Sequence, residues 1–359
     1  MWFHRKAVWY VYPRHHLVSF SLVAQYYIKY LRKFFRVSEV DELSVANLDV
    51  YSHATAVIHP YFFIVMRHGE KLIEKFSRFN SVIGVDVADT DHITQMAVSA
   101  LNYADAVVVP SSFSKKAYKR SGVQIPIHVV PHGVPEEFTR PKTVAFTYET
   151  LRKLYRLKQN QKMVFILYFL WHSEYRKGAD LVYRFMDKLT RERRNIVCIL
   201  KCQTEDGQVQ RLFRRFKTVV IGGWIPENYK IQLYDLCDIY ALFSRGGGFE
   251  INGLEAVARG EIVLAPDQGA WTDYLPKWML VKSHYTTRVF GAYGPPNMIH
   301  DGGGYEIDVE KAVDKAIEII DNIDEYKEKA WEYAVLKIHR EFTWEKVSEK
   351  FAKIIEQYP

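Results

Sequence analysis

Short runs of β-branched and aromatic residues alternate with helix-like segments along most of the chain, and nothing else in the sequence narrows the choice of fold so far. Lys6 to Tyr12 (KAVWYVY), Ala54 to Ile58, Ser81 to Val87, Asp105 to Val109 and Ile127 to Val130 read as strands separated by helix-like sequence or loop. Such an alternation requires crossover connections, so the strands run parallel and helices cover both faces of their sheet. Between Thr139 and Gln161 the rhythm lapses into polar sequence with Pro141 and a Lys/Arg-rich segment. It then restarts, with strands at Met163 to Leu170, Ile196 to Lys201, Thr218 to Ile221, Asp238 to Phe243 and Ile262 to Ala265. Helices are expected from about Gly178, over Gln208 to Phe216 and over Pro226 to Leu236. The expectation is an α/β protein of two doubly wound parallel-sheet domains, 1–158 and 159–340. A C-terminal helix, 341–359, packs back on the first domain.

A length of 359 residues suits two cores of ordinary size, and the boundary is placed near Leu157 to Gln161. Hydrophobic content of 48% and charged content of 25% are those of a globular protein. No run of eighteen apolar residues occurs, so no spanning helix is expected. The basic start MWFHRKAVWYVYPRHH lacks a small-residue cleavage site and does not read as a signal peptide. Three cysteines, Cys198, Cys202 and Cys237, are an odd and sparse set that argues for a reducing compartment and for burial in the core. A cytoplasmic protein is expected.

The net charge of +7 gathers in clusters at Lys115, Lys116, Lys119 and Arg120, at Arg191, Arg193 and Arg194, and at Arg211, Arg214, Arg215 and Lys217. These are solvated helix faces or attract anionic partners. They are not interleaved with an aromatic platform, which places nucleic acid last among those partners. His16 to Arg36 reads as one long, mostly apolar helix, either a core element or a peripheral contact at the inner membrane surface. Ser283 to Tyr305 is a long loop rich in Gly, Pro and aromatics, and loops of that length are functional or mobile. Two amphipathic helices close the chain, Val309 to Arg340, broken near Asp321 to Asp324, and Trp344 to Gln357.

Arg245 to Gly260 (RGGGFEINGLEAVARG) follows a strand-like run, has three consecutive glycines and then shows helical spacing. A glycine turn lets backbone approach a ligand, and the unpaired N–H groups of the helix start suit a phosphate. Glu255 falls at the edge of the buried stripe and needs a partner there, a salt bridge or a ligand. Ligands of open parallel sheets bind beyond the carboxyl ends of the strands. Lys177, Lys201 and the Arg245 to Glu255 stretch stand at three such ends. Lys177 with Gly178 opens a helix, where a cation opposes the helix dipole unless an anion lies between. In the first domain the matching groups are the PRHH turn, Asp86, Asp89, Asp91 and His92 in DVADTDHI, and Ser111 to Ser114. Asp89 and His92 supply acid/base or hydroxyl-binding groups, whereas Thr90, Asp91 and Ser112 suit helix capping equally well.

VVVPSSFSKKAYKRSGV followed by VVPHGVPEEF, RKGADL, IPENYKIQLYDLCDIYALFSR and GGGFEINGLEAVARGEIVLAPDQGAW together resemble the family 4 retaining glycosyltransferases of the GT-B fold. The resemblance runs over most of the chain and implies two Rossmann-like domains facing a cleft, acceptor in the first and nucleotide-sugar donor in the second. It implies that Glu255 binds the donor's ribose, and that Gly247, Gly248, Phe249, Ile251 and their backbone amides face the diphosphate and sugar. Lys177, with Arg176, His172, Lys201 and Arg245, would line the diphosphate. The reaction implied is transfer of a sugar with retention, without metal or other cofactor, to a sugar, a lipid-linked acceptor or a protein.

Three positions depart from the family pattern. Gly247 stands where its first glutamate belongs and Glu250 where it has glycine, so that Glu250 either returns the carboxylate to the same space or leaves the site without one. His172 stands where an arginine is expected, and PRHH replaces a glycine-rich turn. The leading reading is a retaining glycosyltransferase with Glu250, Asp89 and His92 as catalytic groups. The alternatives are a catalytically impaired nucleotide-binding or accessory protein and a nucleotide-sugar epimerase on the same scaffold.

Overall fold

The computed structural model describes the chain apart from residues 1–4, 17, 48, 50–52 and 292–296. The chain forms two compact units, 1–133 with 296–302 and 342–359, and 134–295 with 303–341. No helix among the described residues is long and apolar enough to cross a membrane. Cys198, Cys202 and Cys237 are buried free thiols.

The first unit holds β1 (Ala7–Tyr12), α1 (Ser19–Leu31), β2 (Arg36–Asp41), β3 (Ala54–Ile58), α2 (Tyr61–His68), α3 (Glu70–Phe76), β4 (Ser81–Val85), α4 (Gln95–Leu101), β5 (Ala106–Val109), α5 (Ser112–Arg120) and β6 (Ile127–Val129). Its six parallel strands lie in the order β2-β1-β3-β4-β5-β6. The direction of winding therefore reverses between β1 and β3. The expected helix His16 to Arg36 is shorter than its composition suggested. It ends at Leu31, and after a turn Arg36 opens an edge strand. That strand reads RVSEVD, polar and apolar in alternation with only Val40 buried, which is how a strand with one wet face looks. The aromatic side of α1 is covered from within the unit: Tyr26 stacks on Trp344 at 5.0 Å, and Tyr27 meets Trp344 and Phe351 edge-on at 5.2 and 5.1 Å.

The second unit holds α6 (Glu149–Gln161), β7 (Val164–Leu170), α7 (Ala179–Glu192), β8 (Ile196–Cys202), α8 (Gln208–Phe213), β9 (Thr218–Ile221), α9 (Glu227–Leu236), β10 (Ile239–Ala241), α10 (Ile251–Ala258), β11 (Ile262–Pro266) and β12 (Leu280–Val281). These are followed by β13 (Ser283–Thr286), β14 (Gly304–Ile307), α11 (Val309–Asp321), α12 (Ile323–Tyr333) and α13 (His339–Glu341). The last helix, α14 (Trp344–Ile355), returns to the first unit. The boundary expected near Leu157 to Gln161 falls inside α6, and the chain divides instead after Gly133. The sheet order is β12-β11-β10-β7-β8-β9, all parallel. Its switch point is the seam between β7 and β10, and ligands of open parallel sheets bind beyond the carboxyl ends of the strands at such a point. The loop expected over Ser283 to Tyr305 opens with β13 and ends in β14, its residues 297–302 belong to the first unit, and 292–296 lie outside the described residues.

Candidate functional site

Topology brings Lys177 and Glu250 together. Lys177 lies in the loop after β7 and Glu250 in the glycine turn after β10, and these two strands are neighbours across the switch point. The Lys177 ammonium reaches both carboxylate oxygens of Glu250 at 2.7 Å. The pair is largely buried, with 21% of the Lys177 side chain and 8% of the Glu250 side chain exposed. Gly178 makes the close approach possible: its φ of +74° is left-handed, and a Cβ there would lie 2.1 Å from the Phe243 carbonyl oxygen at the end of the neighbouring strand. Only glycine satisfies both conditions.

Glu250 is the N-cap of α10, but its side chain does not cap the helix. The carboxylate turns to Lys177, and the Glu250 carbonyl accepts from the Tyr274 hydroxyl at 2.8 Å. A Cβ built on Gly247 would lie 2.6 Å from Glu250 Oε1 and 3.7 Å from Arg176 Nη1. The Glu250 carboxylate thus fills the space where a side chain at position 247 would begin. Arg176 donates from Nη1 to the Gly246 carbonyl at 3.1 Å, and its own carbonyl accepts from the Arg245 N–H at 2.7 Å. Gly248 is buried beside them, and the Phe249 ring lies 5.2 Å from that of Tyr274. Ile251 opens α10 half-buried.

Arg245, expected at the ligand, has its guanidinium engaged inside the unit instead. It donates to both oxygens of Asp180 at 2.8 and 2.7 Å, to Glu306 at 2.6 Å and to the Tyr175 carbonyl, and stacks on the Tyr175 ring at 3.8 Å. Those bonds tie the glycine turn to the Lys177 loop and to β14, so Arg245 holds the site together from behind. The Asp180 carboxyl is kept low: burial opposes ionisation, and the Arg245 hydrogen bonds and charge outweigh it. Glu255, one turn further along α10, faces neither Lys177 nor Glu250. Its carboxylate accepts from Lys230 at 2.7 Å and from the Tyr234 hydroxyl at 2.9 Å. Burial pushes this carboxyl up, and the Lys230 ammonium opposes the push.

Lys201, at the end of β8, donates to the carbonyls of Cys202, at 3.2 Å, and Gly223. Burial lowers its pKa, and its ammonium sits 5.1 Å from the centre of the Trp171 ring. His172 is exposed and bonded to Ser173 Oγ at 2.8 Å. Trp171 follows β7 and Trp224 follows β9. The two rings meet edge to face at 5.8 Å, 39% and 66% exposed. Sequence reading passed over this pair, although an aromatic residue directly after a strand end and a Gly-Gly turn was a usable signal. It also missed Asp180, Glu306, Lys230 and Tyr274, which are distant in sequence from the residues they hold.

Asp89 and His92 lie in the first unit, beside residues 298–302. His92 pairs with Asp301 at 2.9 Å, the Asp89 N–H approaches His300 Nδ1 at 3.4 Å, and the Thr94 N–H donates to the Ile299 carbonyl at 2.9 Å. The helix caps in this region are Thr94 and Ser111, not Thr90, Asp91 and Ser112. Asp86 accepts from the Phe62 and Val87 amides at 2.8 Å each, and burial pushes its carboxyl up to about 7 against those bonds.

No protein-family model matches the chain. It is 26% identical over 285 residues, 75% of this chain and 72% of the other, to "Putative glycosyltransferase 45" of a Sulfolobus islandicus filamentous virus. Among solved structures it superposes on sucrose-phosphate synthase of Thermosynechococcus elongatus with a TM-score of 0.70 and 13% identity, covering 98% of this chain and 99% of that one. The E. coli structure described as trehalose-6-phosphate bound with UDP-2-fluoro glucose gives a TM-score of 0.71 at 9% identity, with the same coverage. These likenesses are of fold, and the fold is GT-B. The full-length likeness in sequence is to uncharacterized protein 356 of Sulfolobus islandicus rod-shaped virus 1, 33% identical over 99% of both chains. The protein therefore has the GT-B fold and belongs to the family of that viral protein.

Proposed function

We propose that the protein is a retaining glycosyltransferase that moves a sugar from a nucleotide diphosphate to an acceptor, with the donor held by the second unit. The observation that carries this reading is the Lys177–Glu250 pair at the β7/β10 switch point, with the Glu250 carboxylate in the space at Gly247. Lys177, Arg176 and the N-terminus of α10 supply positive potential for a diphosphate without recourse to a metal ion. Glu250 accepts a hydroxyl of the sugar. In the transfer, the bond from the anomeric carbon to the diphosphate oxygen breaks and the bond to the acceptor oxygen forms. The acceptor's proton passes to the departing phosphate, whose charge Lys177 neutralises. Trp171 and Trp224 offer a ring platform for the base, since stacking tolerates any base. Support also comes from a structural neighbour bound to a UDP sugar and from a relative named as a glycosyltransferase.

A second reading, nucleotide binding without transfer, is favoured by the engagement of Arg245 and Lys201 with protein groups. Calorimetric titration with UDP-, GDP-, ADP- and dTDP-sugars, followed by product analysis with mixed acceptors, separates the two. Binding with transfer is expected. Binding with no turnover against any acceptor selects the second reading, and no binding at all removes both.

A further inference from the structure

Two aromatic rings of the β13–β14 ribbon take no part in the site described above. Tyr285 of β13 and Tyr305 of β14 are cross-strand partners, so both side chains stand on one face of the ribbon. The rings meet edge to face with centroids 5.7 Å apart, and Tyr285 is 56% exposed. A two-stranded ribbon is marginal by itself, yet this one is fixed. The Tyr305 N–H donates to the Arg245 carbonyl at 2.8 Å, and Arg245 Nε donates to Glu306 at 2.6 Å. β14 is thereby bonded to the residue that opens the glycine turn. Two glycines permit the fit: a Cβ on Gly303 would lie 2.3 Å from the Tyr285 hydroxyl oxygen, and one on Gly304 would lie 2.0 Å from the Arg245 carbonyl oxygen.

The same face continues into polar ground. Ser283, two residues before Tyr285, donates from Oγ to Asp267 Oδ1 at 2.6 Å. Asp267 is half-buried and directly follows β11, the strand beside β10. Exposed aromatic faces bordered by a carboxylate and a hydroxyl suit a ligand that is apolar on one side and rich in hydroxyls at its edge. A pyranose is built that way, with C–H groups on its face and hydroxyls around its rim. An apolar chain would cover the rings but give Asp267 nothing to bond. An anion gains little here, because the nearby Arg245 guanidinium is already engaged by Asp180 and Glu306.

We infer that the Tyr285–Tyr305 face is a binding site for neutral saccharide, and that the acceptor is a glycan chain rather than a lone small alcohol. The second half of this inference rests on the glycosyltransferase reading above. One pyranose stacks on the Tyr285 ring and its hydroxyls bond to the Asp267 carboxylate. The ribbon, tied to the glycine turn through Arg245, thus holds part of the glycan on the same unit as the donor.

The test is calorimetric titration of the full chain with maltohexaose, cellohexaose and chitohexaose, with inositol as the small-polyol control and UDP titrated separately. At least one hexasaccharide should bind roughly tenfold or more tightly than inositol. Tyr285→Ala should weaken that binding about tenfold, the loss of one stacked ring, with the thermal midpoint and UDP affinity retained. Tyr285→Phe keeps the ring and should stay within about twofold of wild type. Binding of no hexasaccharide, wild-type binding by Tyr285→Ala, or an equal loss in both variants overturns the inference. If UDP binds while the hexasaccharides do not, the glycan assignment alone fails. If UDP also fails to bind, the donor reading falls with it.

Discussion

Replacing Glu250 by Gln should make the protein bind UDP more tightly and transfer sugar more slowly. Both carboxylate oxygens now lie 2.7 Å from the Lys177 ammonium. A phosphate oxygen bonded to the same nitrogen would sit roughly 4–5 Å from that carboxylate, given two hydrogen bonds of ordinary length diverging from one atom. At an effective dielectric of about 20, two like unit charges at that separation repel by about 3–4 kcal/mol, and by about 1 kcal/mol if water screens them fully. Glutamine keeps the shape and a hydrogen bond to Lys177 but removes the charge, so UDP affinity should rise roughly tenfold or more at low salt. The same change replaces the carboxylate that accepts from the sugar hydroxyl by a neutral and weaker acceptor as charge develops, a loss on the order of 10²–10³ in turnover. Calorimetry with UDP at low and moderate salt reads the first effect, and release of UDP from the sugar donor reads the second. A Glu250→Gln protein that binds UDP as weakly as wild type, or more weakly, would show that the pair does not compete with the diphosphate. The companion change Lys177→Met leaves Glu250 charged, buried and alone. It should destabilise the second unit by about 3–5 kcal/mol and abolish detectable UDP binding.

Arg245→Lys cannot reproduce a guanidinium that spans Asp180, Glu306 and the Tyr175 carbonyl. A loss of about 1–3 kcal/mol is expected from the hydrogen bonds that lysine cannot remake, seen as a thermal midpoint lowered by a few degrees, and an unchanged midpoint would mean that Arg245 is not what ties the glycine turn down. Glu261 is buried with neither carboxylate oxygen hydrogen-bonded, and burial, reinforced by Asp238, pushes its carboxyl well above the ordinary range. The folded state then prefers the protonated form, so this group's stability contribution is complete below about pH 4.5 and is lost as pH rises toward its folded-state value. Glu261→Met should therefore raise the thermal midpoint more at pH 8 than at pH 5, and an equal shift at both would refute the sign. Trp224→Ala should weaken UDP binding by about 1–3 kcal/mol through lost stacking and leave pyrophosphate binding unchanged. An equal loss for both ligands would place the base elsewhere.

Much of the fold was legible in the sequence because a buried parallel strand announces itself as a β-branched run, and ten of the described parallel strands are such runs or close to it, whereas Leu280–Val281 is too short to show a pattern. The edge strand Arg36–Asp41 was not, since one face meets water and its alternation reads as the polar end of a helix. Gly178 and the glycine turn were likewise visible, because a left-handed φ and a close backbone approach leave glycine as the residue that fits. What the sequence could not decide was which charges meet. It placed Lys177, Lys201, Arg245, Glu250 and Glu255 alike at strand ends or on the following helix. Only the strand order 3-2-1-4-5-6, which seats β7 beside β10, pairs Lys177 with Glu250. The same packing carries Arg245 to Asp180 and Glu306, Glu255 to Lys230 and Tyr234, and Lys201 to the Gly223 carbonyl. Local patterns fix where a strand ends and a helix starts. A charge is committed by whichever partner lies within about 3 Å, and for these residues that partner arrives from 21 to 73 positions away.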